Sequence, residues 1–153
     1  MAVERTLVFV KPDGVQRRLV GEILGRFEGR GLKILGLKMM RVSRELAERH
    51  YAEHKGKKFY EGLVGFVTGG PIVAGCLEGE QAIKCVRDMM GKTFCFDAAP
   101  GTIRGDLGIS NQFNLIHGSD GPASAAREIE LYFKPEELES YELPDQRWTM
   151  AGE

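Results

Sequence analysis

The chain has 153 residues, 42% hydrophobic and 28% charged, with 20 glycines and a formal charge of -1. That is long enough for one ordinary core and too weakly basic for a partner that is mainly nucleic-acid backbone or anionic membrane. Cys76, Cys85 and Cys95 lack C-x-x-C spacing and imply neither a disulfide framework nor a zinc site; with no leader-like N-terminus and no run near the roughly 20 apolar residues of a membrane span, a single soluble cytoplasmic domain over residues 1–153 is expected.

Thr6 to Val10, T-L-V-F-V, is β-branched and apolar on both faces and stops at Pro12-Asp13-Gly14, which reads as a buried strand ending in a turn. Val20, Ile23, Leu24 and Phe27 follow at helical spacing, and Gly31 suits the position just past the helix. Leu32 to Val42 predicts a second strand, after which Ser43 can cap a helix carrying Leu46, Ala47, His50 and Tyr51. A shorter helix is expected over Phe59 to Val67, ended by Thr68-Gly69-Gly70-Pro71, and Ile72 to Leu77 is a third buried strand.

Glu80 to Met90 repeats the helical spacing through Ile83, Val86 and Met90, with Gly91 ending it. Lys92 to Gln112 has no clear period, and irregular segments of that length inside compact domains are usually functional or disordered. Phe113 to Ile116 predicts a fourth strand, Pro122 to Phe133 a helix with Ala125, Ile129 and Tyr132 on one face, and Pro135 to Glu153 a tail. Its Tyr141, Leu143 and Trp148 need a surface to cover, such as a neighbouring subunit. The order suggests an α+β fold of the ferredoxin-like βαββαβ kind, a four-stranded antiparallel sheet with helices packed on one face.

His117, in N-L-I-H-G-S-D-G, stands where a strand turns into a helix, a place where side chains and backbone N–H groups converge on anions. It reads as a nucleophile or general base, or else as a histidine satisfied at the sheet edge with Ser119 and Asp120 as helix caps. His50 and His54 lie one turn apart with Glu53 between them, but H-Y-A-E-H is not a zinc-protease motif, and surface histidines are expected there. No G-x-x-x-x-G-K-[ST] loop occurs, nor G-x-G-x-x-G after a strand. Lys11 at a strand end, Arg104 in the long segment, and Arg87 and Thr93 beside its start could instead converge as a phosphate clamp. Arg104-Gly105-Asp106 also spells an adhesion signal, read here as coincidence.

K-P-D-G-V-Q-R at Lys11 to Arg17, G-T-I-R-G-D at Gly101 to Asp106 and N-L-I-H-G-S-D at Asn114 to Asp120 together resemble the nucleoside diphosphate kinases, from Glu4 through Leu138. The resemblance implies ping-pong transfer of the γ-phosphate of a triphosphate such as ATP to a diphosphate such as GDP, through a phosphohistidine at His117. It assigns Ser119 and Glu128 to the ring, Lys11, Tyr51, Arg87, Thr93 and Arg104 to phosphates, Lys11 and Asn114 to the sugar 3′-hydroxyl, and Phe59 and Leu63 to the base. Mg²⁺, touched through water by Asp120, is the implied cofactor. It further implies a homo-oligomer, a hexamer or alternatively a tetramer, with no membrane and no specific nucleic acid as partners. Cys95 stands where family loops often carry proline, Asn111-Gln112-Phe113 replaces V-G-R or I-G-R, and W-T-M-A-G-E replaces a W-x-Y-E ending. A competing reading, a non-catalytic nucleotide- or nucleic-acid-binding module, lacks the aromatic-rich pattern of RNA-recognition domains.

Overall fold

The computed structural model describes residues 3–150. Strand β1 (Val3–Val10) lies inside the sheet, and Thr6 through Val10 are fully buried because both alternating faces of T-L-V-F-V are apolar or nearly so. It pairs antiparallel with β3 (Pro71–Glu80), from Val3 opposite Glu80 to Val10 opposite Val73. On its other side is β4 (Ile116–Gly118), with Phe9 opposite His117. β2 (Lys33–Arg41) pairs with β3, its register shifting between Ile34 and Gly36, and the order β2-β3-β1-β4 is the expected antiparallel arrangement.

The helices divide over both faces of this sheet, which corrects the expectation of one covered face. Leu7, Phe9, Ile72 and Ala74 pack against α3 (Arg44–His50), α4 (Tyr60–Val67) and α7 (Pro122–Tyr132) through Ala47, Val64 and Tyr132. Val8, Val10, Val73 and Leu77 meet Ile23 and Phe27 of α2 (Val20–Gly29) and Val86 and Met90 of α5 (Ala82–Met90). A strand apolar at every position needs cover on both sides, and each large side chain so buried contributes roughly 1.5–3 kcal/mol.

Several boundaries differ from expectation for local reasons. Pro12-Asp13-Gly14 is not a simple turn but opens a short helix, α1 (Pro12–Gln16), since proline's fixed φ suits a first helical turn. β3 continues to Glu80, so α5 begins at Ala82 and not at Glu80. The segment expected to lack regular structure holds a 3₁₀ turn at Cys95–Asp97 and α6 (Ile103–Leu107), whose Thr102 hydroxyl accepts from Gly105 N at 3.0 Å. The fourth strand is short and begins only at Ile116, because Leu115 takes φ 71° and leaves the extended region.

Ser43 caps α3 as expected, accepting from Leu46 N at 3.1 Å, and Gly31 follows α2 at φ 103°. The tail folds back on its own chain: Glu139 N donates to Leu35 O at 2.8 Å, Lys33 Nζ to Tyr141 O at 2.6 Å, and the Tyr141 hydroxyl to Ile34 O. Trp148, in α8 (Gln146–Thr149), stays 76% exposed, and the tail's last three positions lie outside the described residues. Among the described residues no helix is long and apolar enough to cross a membrane.

Candidate active site

His117 is fixed from below by Phe9 and from the side by α7. Its ring stacks on Phe9 with centroids 4.8 Å apart, the pairing that antiparallel register imposes on Phe9 and His117. Nε2 lies 2.7 Å from Glu128 Oε1, and the same oxygen accepts from the Ser119 hydroxyl at 2.8 Å. Burial pushes the imidazole below its ordinary pKa, with Lys11 and Arg87 adding to the effect while Glu128 opposes it. Burial alone would raise the Glu128 carboxyl, but its bond to His117, that ring's charge and the Ser119 hydroxyl hold it below the carboxylate range. Both shifts favour one state near neutral pH: a neutral imidazole donating Nε2–H to a carboxylate. Nδ1 carries no hydrogen bond among the described residues, so its lone pair is the one left for an electrophile.

His50 corrects the expectation of a surface histidine. It is 4% exposed, because Ala47, His50 and Tyr51 occupy the buried face of α3. Its ring meets that of His117 edge-on at 4.7 Å, and its Nδ1 lies 3.0 Å from the Tyr132 hydroxyl. Burial, reinforced by the neighbouring His117, brings its pKa down to about 3, so it stands neutral beside the nucleophile candidate. His54 sits beyond α3, in a 3₁₀ turn at Ala52–His54, and is partly exposed.

Lys11, at the end of β1, donates from Nζ to Asn114 Oδ1 at 2.7 Å, and Asn114 Nδ2 donates to Thr93 O at 3.1 Å. Burial and the Arg104 guanidinium bring the Lys11 ammonium down to about 8 against the pull of Asp13, still mostly charged near neutrality. Arg104 is 4% exposed and spends three N–H groups on backbone: Nε on Asn114 O at 3.0 Å, Nη1 on Gly91 O at 3.3 Å and Nη2 on Ile116 O at 2.6 Å. Burial and Arg87 lower its pKa to about 10, still charged near neutrality. A guanidinium has five N–H donors, so two remain. Arg87, on α5, donates to Gly118 O at 3.2 Å beside His117.

The structure therefore gathers Lys11, Arg87, Thr93, Arg104 and Asn114 around His117 on β4, with Ser119 just past that strand and Glu128 reaching the ring from α7. Phe59, just ahead of α4, and Leu63, within it, are linked by Leu63 N donating to Phe59 O at 3.0 Å, and Phe59 is 52% exposed. They join the histidine through a run of rings: Phe59 to His54 at 5.3 Å, His54 to Tyr51 at 6.4 Å and Tyr51 to His50 at 4.6 Å. Asp120 is exposed just ahead of α7 and makes no side-chain hydrogen bond among the described residues.

Arg-Gly-Asp is spent inside the fold, consistent with coincidence. Arg104 is pinned as described, a Cβ on Gly105 would stand 1.9 Å from Ala99 O, and Asp106 bonds Arg26 at 2.8 Å and Gly101 N at 2.8 Å. Donor atoms of His50, His117 and Glu128 lie within 4.8 Å of one another, a set suited to zinc-like ions, yet each side chain already has a hydrogen-bond partner. Sequence reasoning assigned no site role to Phe9, His50, Asp13 or Tyr132. For His50 the signal was its shared spacing with Ala47.

Residues 4–138 match a sequence model of the family described as "Nucleoside diphosphate kinase". A nucleoside diphosphate kinase of Carboxydothermus hydrogenoformans is 61% identical over 146 residues, 95% of this chain and 98% of that one. One from Archaeoglobus fulgidus is 53% identical over 95% of this chain and 97% of its own. Among solved structures, a halophilic nucleoside diphosphate kinase from Halobacterium salinarum in complex with CDP superposes with a TM-score of 0.95 at 50% identity, covering 97% of this chain and 99% of that chain.

Proposed function

The chain belongs to the nucleoside diphosphate kinase family of phosphotransferases, and from that premise we propose two half-transfers carried by His117. In the first, Nδ1 attacks the γ-phosphorus of a triphosphate such as ATP. The N–P bond forms as the bond to the bridging oxygen breaks, and the diphosphate leaves with that electron pair. In the second, the terminal oxygen of a bound diphosphate such as GDP attacks the same phosphorus and the imidazole is restored. The observation that carries this reading is the 2.7 Å pairing of Nε2 with Glu128, which fixes the tautomer and leaves Nδ1 as the nucleophile.

Phosphoryl transfer asks for in-line positioning and neutralised charge. Lys11, Arg87, the two unspent Arg104 donors, Thr93 and Tyr51 take the phosphates, and Lys11 with Asn114 takes the 3′-hydroxyl. Phe59 and Leu63 hold the base by its face, and a face grips every base without reading its edge, so broad acceptance follows. The Halobacterium relative was solved in complex with CDP, which supports a nucleoside diphosphate as ligand of this fold. Asp120 would hold Mg²⁺ through water: an exposed oxygen donor without a protein partner suits an ion that keeps several waters and takes phosphate oxygens. When bound, that ion supplies charge neutralisation on the phosphates.

Incubation with γ-labelled ATP and Mg²⁺, then removal of nucleotide, should leave acid-labile label on the protein, and added GDP should carry it off as GTP. Affinity for ATP without transferable label would defeat the enzyme reading.

We further read the chain as a cytoplasmic homohexamer. Its cysteines are unpaired, Leu37 and Met39 on edge strand β2 are 48% and 63% exposed, and Phe96 and Ile109 of the long segment are 68% and 73% exposed, apolar surface of the sort that assembly covers. Sedimentation at working concentration should give a species of six chains. A monomer there would overturn assembly, and a tetramer would overturn the number.

A further inference from the structure

Leu115 is fully buried at φ 71°, and Ile116 N donates to Asn114 O at 2.8 Å across it. An i to i+2 bond closed over a left-handed central residue is the rare, strained form of γ-turn, costly for any residue with a Cβ. Such strain persists only where the surroundings over-determine it, and it clusters at active sites. This turn sits between Asn114 and His117, so its conformation sets the direction of both side chains.

The three carbonyls of the turn and the N–H groups of Leu115 and Ile116 are all held from outside it or across it. Arg104 takes the carbonyls of Asn114 and Ile116 at 3.0 and 2.6 Å, and Lys11 N donates to Leu115 O at 2.8 Å. Asp13, in the first turn of α1, closes the set: its Oδ2 accepts from Leu115 N at 3.1 Å, a bond reaching across 102 residues. Its other oxygen, Oδ1, is buried with no hydrogen-bond partner. Keeping a carboxylate where one oxygen goes unsatisfied is unfavourable, which calls for a compensating role.

We infer that Asp13 is a positioning residue for phosphoryl transfer, its carboxylate clamping the strained turn at Leu115 so that Asn114 meets the sugar and His117 faces the phosphorus in line. The role rests on the reading of His117 as nucleophile. It also explains K-P-D-G as a unit: Lys11 holds one side of Leu115 through its backbone, Pro12 starts α1, Asp13 holds the other side, and Gly14 leaves room, since a Cβ there would stand 3.1 Å from Leu115 O.

The test compares Asp13→Asn, which keeps an acceptor but not the charge, with Asp13→Glu, which keeps the charge but moves the acceptor, and with Asp13→Ala. Single-turnover labelling of His117 by saturating ATP, ADP affinity and amide exchange at Leu115 are measured on each, with the unaltered protein as reference. Asp13→Asn should label within about threefold of the reference with Leu115 protected. Asp13→Glu and Asp13→Ala should label at least about tenfold slower, with ADP affinity within about threefold and faster exchange at Leu115 but not at Cys76 in β3, since misplacement near 1 Å costs rate more than binding. Labelling by Asp13→Glu at the reference rate would overturn the inference, even should Asp13→Ala fail to fold. So would an Asp13→Asn as slow as Asp13→Glu with Leu115 still protected. A reference protein that never labels would sink the reading of His117 itself, a separate failure.

Discussion

His117→Ala is expected to abolish covalent labelling by ATP and to lower turnover by roughly four orders of magnitude or more, the scale of removing a covalent nucleophile. The ring is half-buried, stacked on Phe9 at 4.8 Å and bonded to Glu128, so the variant leaves a hole over Phe9 and leaves Glu128 Oε1 with the Ser119 hydroxyl alone as donor. Those costs fall on stability, about 1–3 kcal/mol for the lost pairing. They leave in place Lys11, Arg87, Arg104 and Phe59, the residues proposed to take the phosphates and the base. Nucleotide affinity should therefore stay within a few-fold while label disappears. An alanine variant that still accepts acid-labile phosphate would move the nucleophile elsewhere, and His50, buried and edge-on to His117 at 4.7 Å, is the side chain to examine next.

What the residues alone conveyed follows from how local each feature is. Helix caps such as Ser43 and ends such as Gly31 depend on one or two neighbours, and they stand where spacing put them. T-L-V-F-V carried the two-sided burial of β1, whereas the order of elements pointed to helices on a single face. His50 shares a helical face with Ala47, but a polar side chain on an amphipathic helix reads as solvated unless its buried partner, Tyr132, is known. Arg104 was legible as a charge in a long segment. That two of its N–H groups hold the backbone just ahead of His117 depends on a fold of the segment with no period to announce it. Glu128 came from resemblance alone, because its reach to the ring is set by how α7 docks on β1. Leu115 was least legible of all: leucine disfavours a left-handed conformation, so only the surrounding clamps reveal the turn that shortens β4.

Glu128→Gln tests tautomer control and should slow labelling of His117 by about 10²-fold, between a lost second partner and a wrong tautomer. The glutamine oxygen can still accept from Nε2–H and from the Ser119 hydroxyl, but its NH₂ group can equally donate to Nε2. That second arrangement drives the proton onto Nδ1 and removes the lone pair that attacks. Glu128→Ala should be slower again, because Ser119 and His117 then lose their shared acceptor inside a buried site. The pH profile separates this from a general loss of structure. His117 must be neutral to attack, and Glu128 raises its pKa against burial, so removing the carboxylate moves the acid limb of labelling to lower pH. Stability moves in a related way. The Glu128 carboxyl is held below its ordinary pKa, so its contribution is present at neutral pH and lost as pH falls through the lowered value; the glutamine variant should show a flatter acid limb of unfolding. An acid limb of labelling that stays put in Glu128→Gln, with the rate reduced, would mean that Glu128 acts through packing and not on the ring's proton.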